Sequence, residues 1–499
     1  MNQNNISAAE LFQRVRELLM LPELEPQTRN KMMHDTLILC CHEGVKDTKQ
    51  AFGNLFSQVD YLCKARGIKV ADKIAIQTMR RHSNSQEPLS GEDLKYDARA
   101  LALFISAVFG VDVPHELNVL IPHTPRPYQK GLEINNRRIR CIVKNWDGDF
   151  IRVDIDQDAD EEEYLVQLKD EENHIDHTYL WDILKEGMQL NLLDCQVKQP
   201  IITPRLIVVE PDYLVDISSI ATCFTAFGHQ PLLYLLNLMK PRANTQATLL
   251  GNFAGAALDD IINSHGKYQM NETVKTNFRE KALEFCTCPW FDPKKFYTDA
   301  SLQAFNLQQV VDILFPRTAS QAQMTALRGE SLYDRKKAIL EPSFVCEALG
   351  IQGRVDLMTT DCKLLVEQKS GRNMNIETHQ VDPGYHSYQL EPHYVQLLLY
   401  YGVLQHNFKL SNDRVNIRLL YSKYRPQDGL MVVAYYQKLF KEAIQYRNQL
   451  VAASFEIAKE GFEHALNEFT PEVLNVAGTQ DFFYNKYLKP QIEAITNPL

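Results

Sequence analysis

IQGRVDLMTTDCKLLVEQK, residues 351–369, is the stretch whose reading decides the fold. Two β-rich runs, Ile351–Met358 and Lys363–Lys369, flank a short polar turn near Thr359–Cys362, the pattern of an antiparallel pair. Alternation along the second run puts Glu367 and Lys369 on one face and Leu364, Val366 and Gln368 on the other. Asp356 lies on the first run between Val355 and Leu357, so the pairing gathers Asp356, Glu367 and Lys369 at one edge of the sheet. Phosphodiester hydrolysis needs such a set. Two carboxylates hold one or two Mg²⁺ ions that polarise the phosphate and acidify a water. A neighbouring ammonium orients that water and stabilises charge on the phosphorane oxygens. A Glu and a Lys two residues apart in a buried apolar strand are otherwise costly.

The bare spacing is a weak pattern, because an edge strand with solvated charges gives the same letters. Its surroundings strengthen it. Gly353-Arg354 leads into the Asp strand, an apolar run precedes Glu367, and a helix over about 388–405 carries Gln396 and Tyr400 four residues apart on one face. Further out lie a small-residue helix over Thr245–Ile262, a β run over Ala338–Ala348, and strands at Val415–Tyr421 and Leu430–Tyr435. From the small-residue helix to Val415–Tyr421 the order is α-β-β-β-α-β.

Together these residues resemble the RecB-type branch of the PD-(D/E)XK nuclease superfamily, with its Gly-x-apolar-Asp strand, Glu-x-Lys strand and Gln-x-x-x-Tyr helix. Within that branch, Leu206–Ser219 is similar to the start of the nuclease domain of the Okazaki-fragment-processing nuclease–helicases. The resemblance spans about 203–436. It implies a restriction-endonuclease-like core, Mg²⁺ or Mn²⁺ as cofactor, and cleavage of single-stranded or flap DNA in replication or repair. Asp356 and Glu367 would hold metal, Lys369 would place the water, and Gln396 and Tyr400 would support the site or contact DNA. Glu347 falls where that family often has an acidic residue. Two positions depart from the family. Its Gly-x-x-x-His helix reads Gly251-Asn-Phe-Ala-Gly255 here, so Gly255 stands for a metal-binding His, and Asp259 or Asp260 one turn on is the expected replacement. The candidate metal positions are therefore Asp356, Glu367, Asp259 and Val366. Gln230 stands where relatives have the first Cys of an iron–sulfur site, and no Cys follows Cys362, so no cluster is expected. DNA contacts are expected from Lys240, Arg242, Arg354, Arg372, Lys423 and Arg425.

The rest of the chain reads as a multidomain α/β protein: a helical domain over 1–128, a small β-rich domain over 129–202, and the nuclease domain over 203–499. That last domain carries a helical insertion at about 265–335 and a helical C-terminal tail. Leu11, Val15, Leu18 and Leu19 recur at helical spacing in the first domain. Asp147-Gly148 marks a hairpin in the second. The acidic run Asp154–Glu163 lacks the Gly and Glu of a calcium loop and reads as solvated. Composition is that of a globular protein, 45% hydrophobic and 23% charged. The formal charge of −10 excludes a broadly basic nucleic-acid coat but not a local basic groove. Ten scattered cysteines, no signal peptide and no long apolar run place the chain in the cytoplasm, away from membranes. No Walker motif occurs. The resemblance to the nuclease–helicases implies a helicase domain beyond Leu499 or a helicase partner subunit. The rival reading is a weakened nuclease fold that binds DNA or loads a helicase, and Gly255 is its best argument.

Overall fold

The computed structural model describes residues 6–461 except 86–87, 127–131, 156–162, 226–227, 232, 235–236, 238–243, 382–385 and 411–413. Most of the acidic run Asp154–Glu163, and both Lys240 and Arg242, lie outside the described residues. The molecule is mixed α/β with several sheets. Among the described residues no helix is long and apolar enough to cross a membrane.

The N-terminal region packs five longer helices, α1 (Ala8–Leu19), α2 (Pro26–Val45), α3 (Leu55–Ala65), α4 (Val70–His82) and α5 (Gly91–Phe109), with a single turn at His115–Asn118 after them. Ser7 and Glu10 form a reciprocal capping box on α1, and Leu11, Val15 and Leu18 point into the core. Between α2 and α3 the two-residue strand β1 (Ala51–Phe52) leaves this domain and pairs in parallel with Met431 and Val432 of the central sheet. It covers that sheet's edge, which would otherwise present unpaired backbone groups. Two residues are too short for a strand signal in sequence, so the first domain reads as separate when it is stitched to the sheet.

The second region is a closed five-stranded barrel: β2 (Asn136–Asp147), β3 (Phe150–Ile155), β4 (Tyr164–Gln167), β5 (Gln189–Lys198) and β6 (Ile201–Val209). The turn after Asp147 places Gly148 at φ 47°, a left-handed conformation that glycine adopts without strain. β6 spans the boundary read at residue 203. It pairs in parallel with β4 at Ile201 and Ile202 and antiparallel with β5 as far as Val209, so the barrel wall continues into residues that the sequence assigns to the next domain.

The central sheet has six strands and helices on both faces. Helix α6 (Gln246–Asn263) comes first, followed by an insertion that includes α7 (Met270–Glu280) and α8 (Pro293–Leu314). A long hairpin follows. Its first arm, β7, runs Ala338–Leu340 and Ser343–Cys346; its second, β8, runs Ile351–Arg354 and Leu357–Thr359. Then come β9 (Leu364–Lys369), α9 (Glu391–Phe408), β10 (Asn416–Tyr421), β11 (Leu430–Val433) and α10 (Gln437–Glu460). The strand order is β1-β11-β10-β9-β8-β7. β9 and β10 are parallel and α9 joins them, as a parallel connection requires. Leu364 and Val366 are buried with Leu249, Phe253 and Val310 on the α6–α8 side. Leu365 is buried on the other side with Leu397, Tyr401 and Leu419. Cover on both faces is why Leu364-Leu365-Val366 is apolar without alternation.

Helix α10 locks the barrel to this sheet. The guanidinium of Arg447, wholly buried, donates to the carbonyls of Val209, Gly350, Glu210 and Tyr213. Asn448 accepts from Val209 N–H at 3.0 Å and donates to Ile207 O at 2.7 Å. Burial pulls the Arg447 pKa down to about 9, yet its hydrogen bonds are almost all to carbonyls. Gly350 allows the approach, since a Cβ there would lie 2.3 Å from Arg447 Nη2, and its φ is 61°. Arg447→Met should lower stability by about 3–5 kcal/mol, because it strands buried carbonyls at a domain junction. Urea unfolding measures this, and a loss under about 1 kcal/mol would refute the lock.

Candidate active site

The hairpin of β7 and β8 keeps one register along its length: Leu340 faces Leu357 before the break and Ser343 faces Arg354 after it. Pro342 lacks an N–H for the ladder, and Glu341 beside it adopts φ 47°. The arms stay tied by Glu341 N–H to Asp356 O at 3.0 Å and Val355 N–H to Pro342 O at 3.3 Å. Asp356 therefore sits at a bend, one step past the Leu357–Val366 pair, which sets it opposite Glu367.

Around this point the polar groups converge. Asp356 Oδ2 accepts from Gln368 N–H at 2.6 Å. Lys369 Nζ donates to Glu367 Oε1 and to Gln396 Oε1, each at 2.8 Å. Tyr400 O–H donates to Arg354 O at 2.6 Å. Gly353 makes room for that ring, because a Cβ there would fall 2.9 Å from Tyr400 Cε1. The glycine of the Gly-Arg-Val-Asp stretch is thus explained by close approach of α9. Asp356, Glu367, Lys369, Gln396 and Tyr400 all meet at the carboxyl end of the parallel strands, where open α/β sheets bind ligands.

Burial dominates the electrostatics. Glu367 is 2% exposed, and burial followed by the Asp356 charge raises its pKa to about 8, with Lys369 opposing. Asp356 is raised too, by burial first, with the Gln368 amide and Lys369 pulling it down and Glu341 pushing it up. Asp259 rises to about 7 through burial and the charges of Glu341, Asp260 and Asp356. Asp259 therefore faces the carboxylate cluster. Asp260 instead accepts a hydrogen bond from Thr273 in the insertion.

Within this group of residues, Glu367 carries an unsatisfied atom. Glu367 Oε2 is buried and has no hydrogen-bond partner, an arrangement that costs about 1–3 kcal/mol or more for a charged group unless something binds it. A divalent cation fits that need. Among the described residues no three His, Cys, Asp or Glu side chains form a ready metal cage. Mg²⁺ does not require one, since it is usually held by one or two carboxylates with waters and substrate phosphate completing its shell. Val366 turns its side chain into the α6–α8 core, so it has only its carbonyl to offer. At Gly255 a Cβ would meet nothing within 4 Å, so this helix face, which also carries Asp259, is open there.

The expected DNA contacts separate. Arg372 and Lys423 both pair with Glu377, and Lys423 follows β10 as Arg372 follows β9, at the same end of the sheet as Lys369. Arg425 is exposed close by in sequence. Arg354 lies on the hairpin side and pairs with Glu341 at 3.0 Å. Glu347 sits in the turn between Cys346 and Ile351, at the far end of the hairpin from Asp356. The acidic residue that reaches the site from β7 is Glu341, which sequence reading passes over. Its signal was Pro342, a strand breaker inside an apparently continuous run. No protein-family model matches the chain, and no curated protein matches it.

Proposed function

We propose that this chain is a metal-dependent phosphodiester hydrolase of the PD-(D/E)XK kind that cuts single-stranded or flap DNA. The observation that carries this reading is the buried, unpartnered Glu367 Oε2 beside Asp356, with Lys369 held between Glu367 and Gln396. The order α6, β7, β8, β9, α9, β10, with β10 parallel to β9, supports a restriction-endonuclease-like core.

Asp356 and Glu367 would hold Mg²⁺ or Mn²⁺, with Asp259 from α6 able to add a carboxylate. The ion, when bound, polarises the phosphate and lowers the pKa of the attacking water. The protein's own groups do the rest. Glu367 and Gln396 fix the Lys369 ammonium so that its remaining N–H donates to the water or to a phosphate oxygen. Gln396 thus serves through Lys369. Tyr400 holds the backbone at Arg354, two residues before Asp356, and so positions the carboxylate. Arg372, Lys423 and Arg425 line the strand ends where a DNA backbone would approach, and a helicase domain or subunit would feed the strand.

The open space at Gly255 and the two-carboxylate centre favour a second reading, a nuclease fold that binds DNA without cutting it. End-labelled single-stranded and flapped DNA, incubated with Mg²⁺ or Mn²⁺, separates the two. The wild type should cut and Asp356→Ala should lose at least about 100-fold in rate. Binding at low salt without cutting in either metal would select the second reading, and absence of binding would reject both.

A further inference from the structure

Helix α9 presents a third polar residue on the stripe that carries Gln396 and Tyr400. His393 lies three residues before Gln396 and seven before Tyr400, on the same helix face. Its Nδ1 is 3.1 Å from the Tyr421 hydroxyl. That hydroxyl oxygen already accepts from Leu390 N–H at 3.0 Å, so its own proton is free to be donated to Nδ1. A neutral ring whose Nδ1 accepts carries its proton on Nε2. Burial and the Lys369 charge hold the His393 pKa down to about 3, which keeps the ring neutral and places it close to Lys369. The ring is partly exposed, and among the described residues its Nε2 has no hydrogen-bond partner.

Resting on the nuclease reading above, we propose that His393 contacts substrate: its Nε2–H donates to a non-bridging phosphate oxygen of the DNA strand beside Lys369. The chemistry of the place favours a neutral donor. A second cation next to Lys369 would be repelled by it, whereas a neutral N–H adds direction without charge. Tyr421 fixes the ring's tautomer and aim, and so acts as the positioning residue for His393. Lys369 then meets the charge that forms on the phosphate in the transition state, and His393 holds the bound strand in place before it.

The test compares wild type, His393→Ala, His393→Gln and His393→Asn on an end-labelled single-stranded oligonucleotide with Mg²⁺. Gln can place an amide N–H near the position of Nε2, while Asn ends near Nδ1. His393→Ala and His393→Asn should lower kcat/KM by about 10- to 100-fold, the worth of one hydrogen bond to a charged group. His393→Gln should recover most of that loss. Ala within about twofold of wild type, or Gln no better than Asn, would overturn the proposal, the latter by showing a purely structural role. Should the wild type cut no DNA, the nuclease reading fails on its own and the contact is read by binding instead. In an Asp356→Ala background, adding His393→Ala should weaken oligonucleotide affinity about tenfold, and unchanged affinity would refute the contact.

Discussion

Lys369→Met should slow DNA cleavage by about 100- to 1,000-fold while leaving DNA affinity within about threefold. Methionine keeps most of the length and apolar volume of the lysine stem, so the half-buried position between β9 and α9 stays filled. What disappears is the donor that links Glu367 Oε1 to Gln396 Oε1 at 2.8 Å on either side. A group that acts on charge forming in the transition state affects kcat, whereas one that merely attracts the DNA backbone affects KM. The positive groups at Arg372, Lys423 and Arg425 remain to bind the strand, which is why affinity should hold. Steady-state kinetics on a labelled single strand gives both numbers. A variant within about tenfold of wild type in kcat would leave Lys369 as a structural partner of Glu367 and remove the main support for hydrolysis.

How much of this site can be read from sequence depends on how local each relationship is. Glu367 and Lys369 are legible because two residues along a strand always share a face. Gln396 and Tyr400 are legible because four residues along a helix share one. The same rule, applied three residues earlier, points to His393, which looks like an ordinary helix residue until Tyr421 is seen against its ring. Glu341 escapes because its importance comes from a bend. An intact strand over Ala338–Ala348 would give it no special place, and only Pro342 hints that the strand is broken. The barrel boundary fails for a different reason. Residues 203–209 belong to the barrel because β6 runs on past Ile202 in antiparallel pairing with β5, and no periodicity near 203 carries that information. Arg447 is the clearest case. On an amphipathic helix an arginine reads as surface, yet here it is wholly buried and bonded to backbone carbonyls.

Glu367→Gln should stabilise the metal-free protein at alkaline pH while destroying activity. The sign follows from the shift. The folded-state pKa of Glu367 is about 8 against an ordinary value of 4.5, so between those values the folded state holds a proton that the unfolded state has released. Stability contributed by this group is therefore full below about pH 4.5 and is lost as pH rises through about 8. The shift corresponds to an upper limit on the order of 3–5 kcal/mol. Gln cannot ionise and keeps an oxygen for Lys369 Nζ, so it escapes that loss. Its amide N–H₂ takes the place of an oxygen and can donate toward Asp356, or else remain unpaired at a cost of about 1 kcal/mol or more. The net expectation is a gain of about 1–3 kcal/mol near pH 8.5 and little change near pH 5, read from urea unfolding in chelator. A divalent cation should do the same for the wild type by giving Glu367 Oε2 the partner it lacks. Mg²⁺ should accordingly raise the wild-type midpoint at pH 8.5 by more than at pH 5, and should raise that of Glu367→Gln much less. Equal pH dependence of the two proteins would show that Glu367 is not held in the strained, proton-retaining state that makes it ready for a metal.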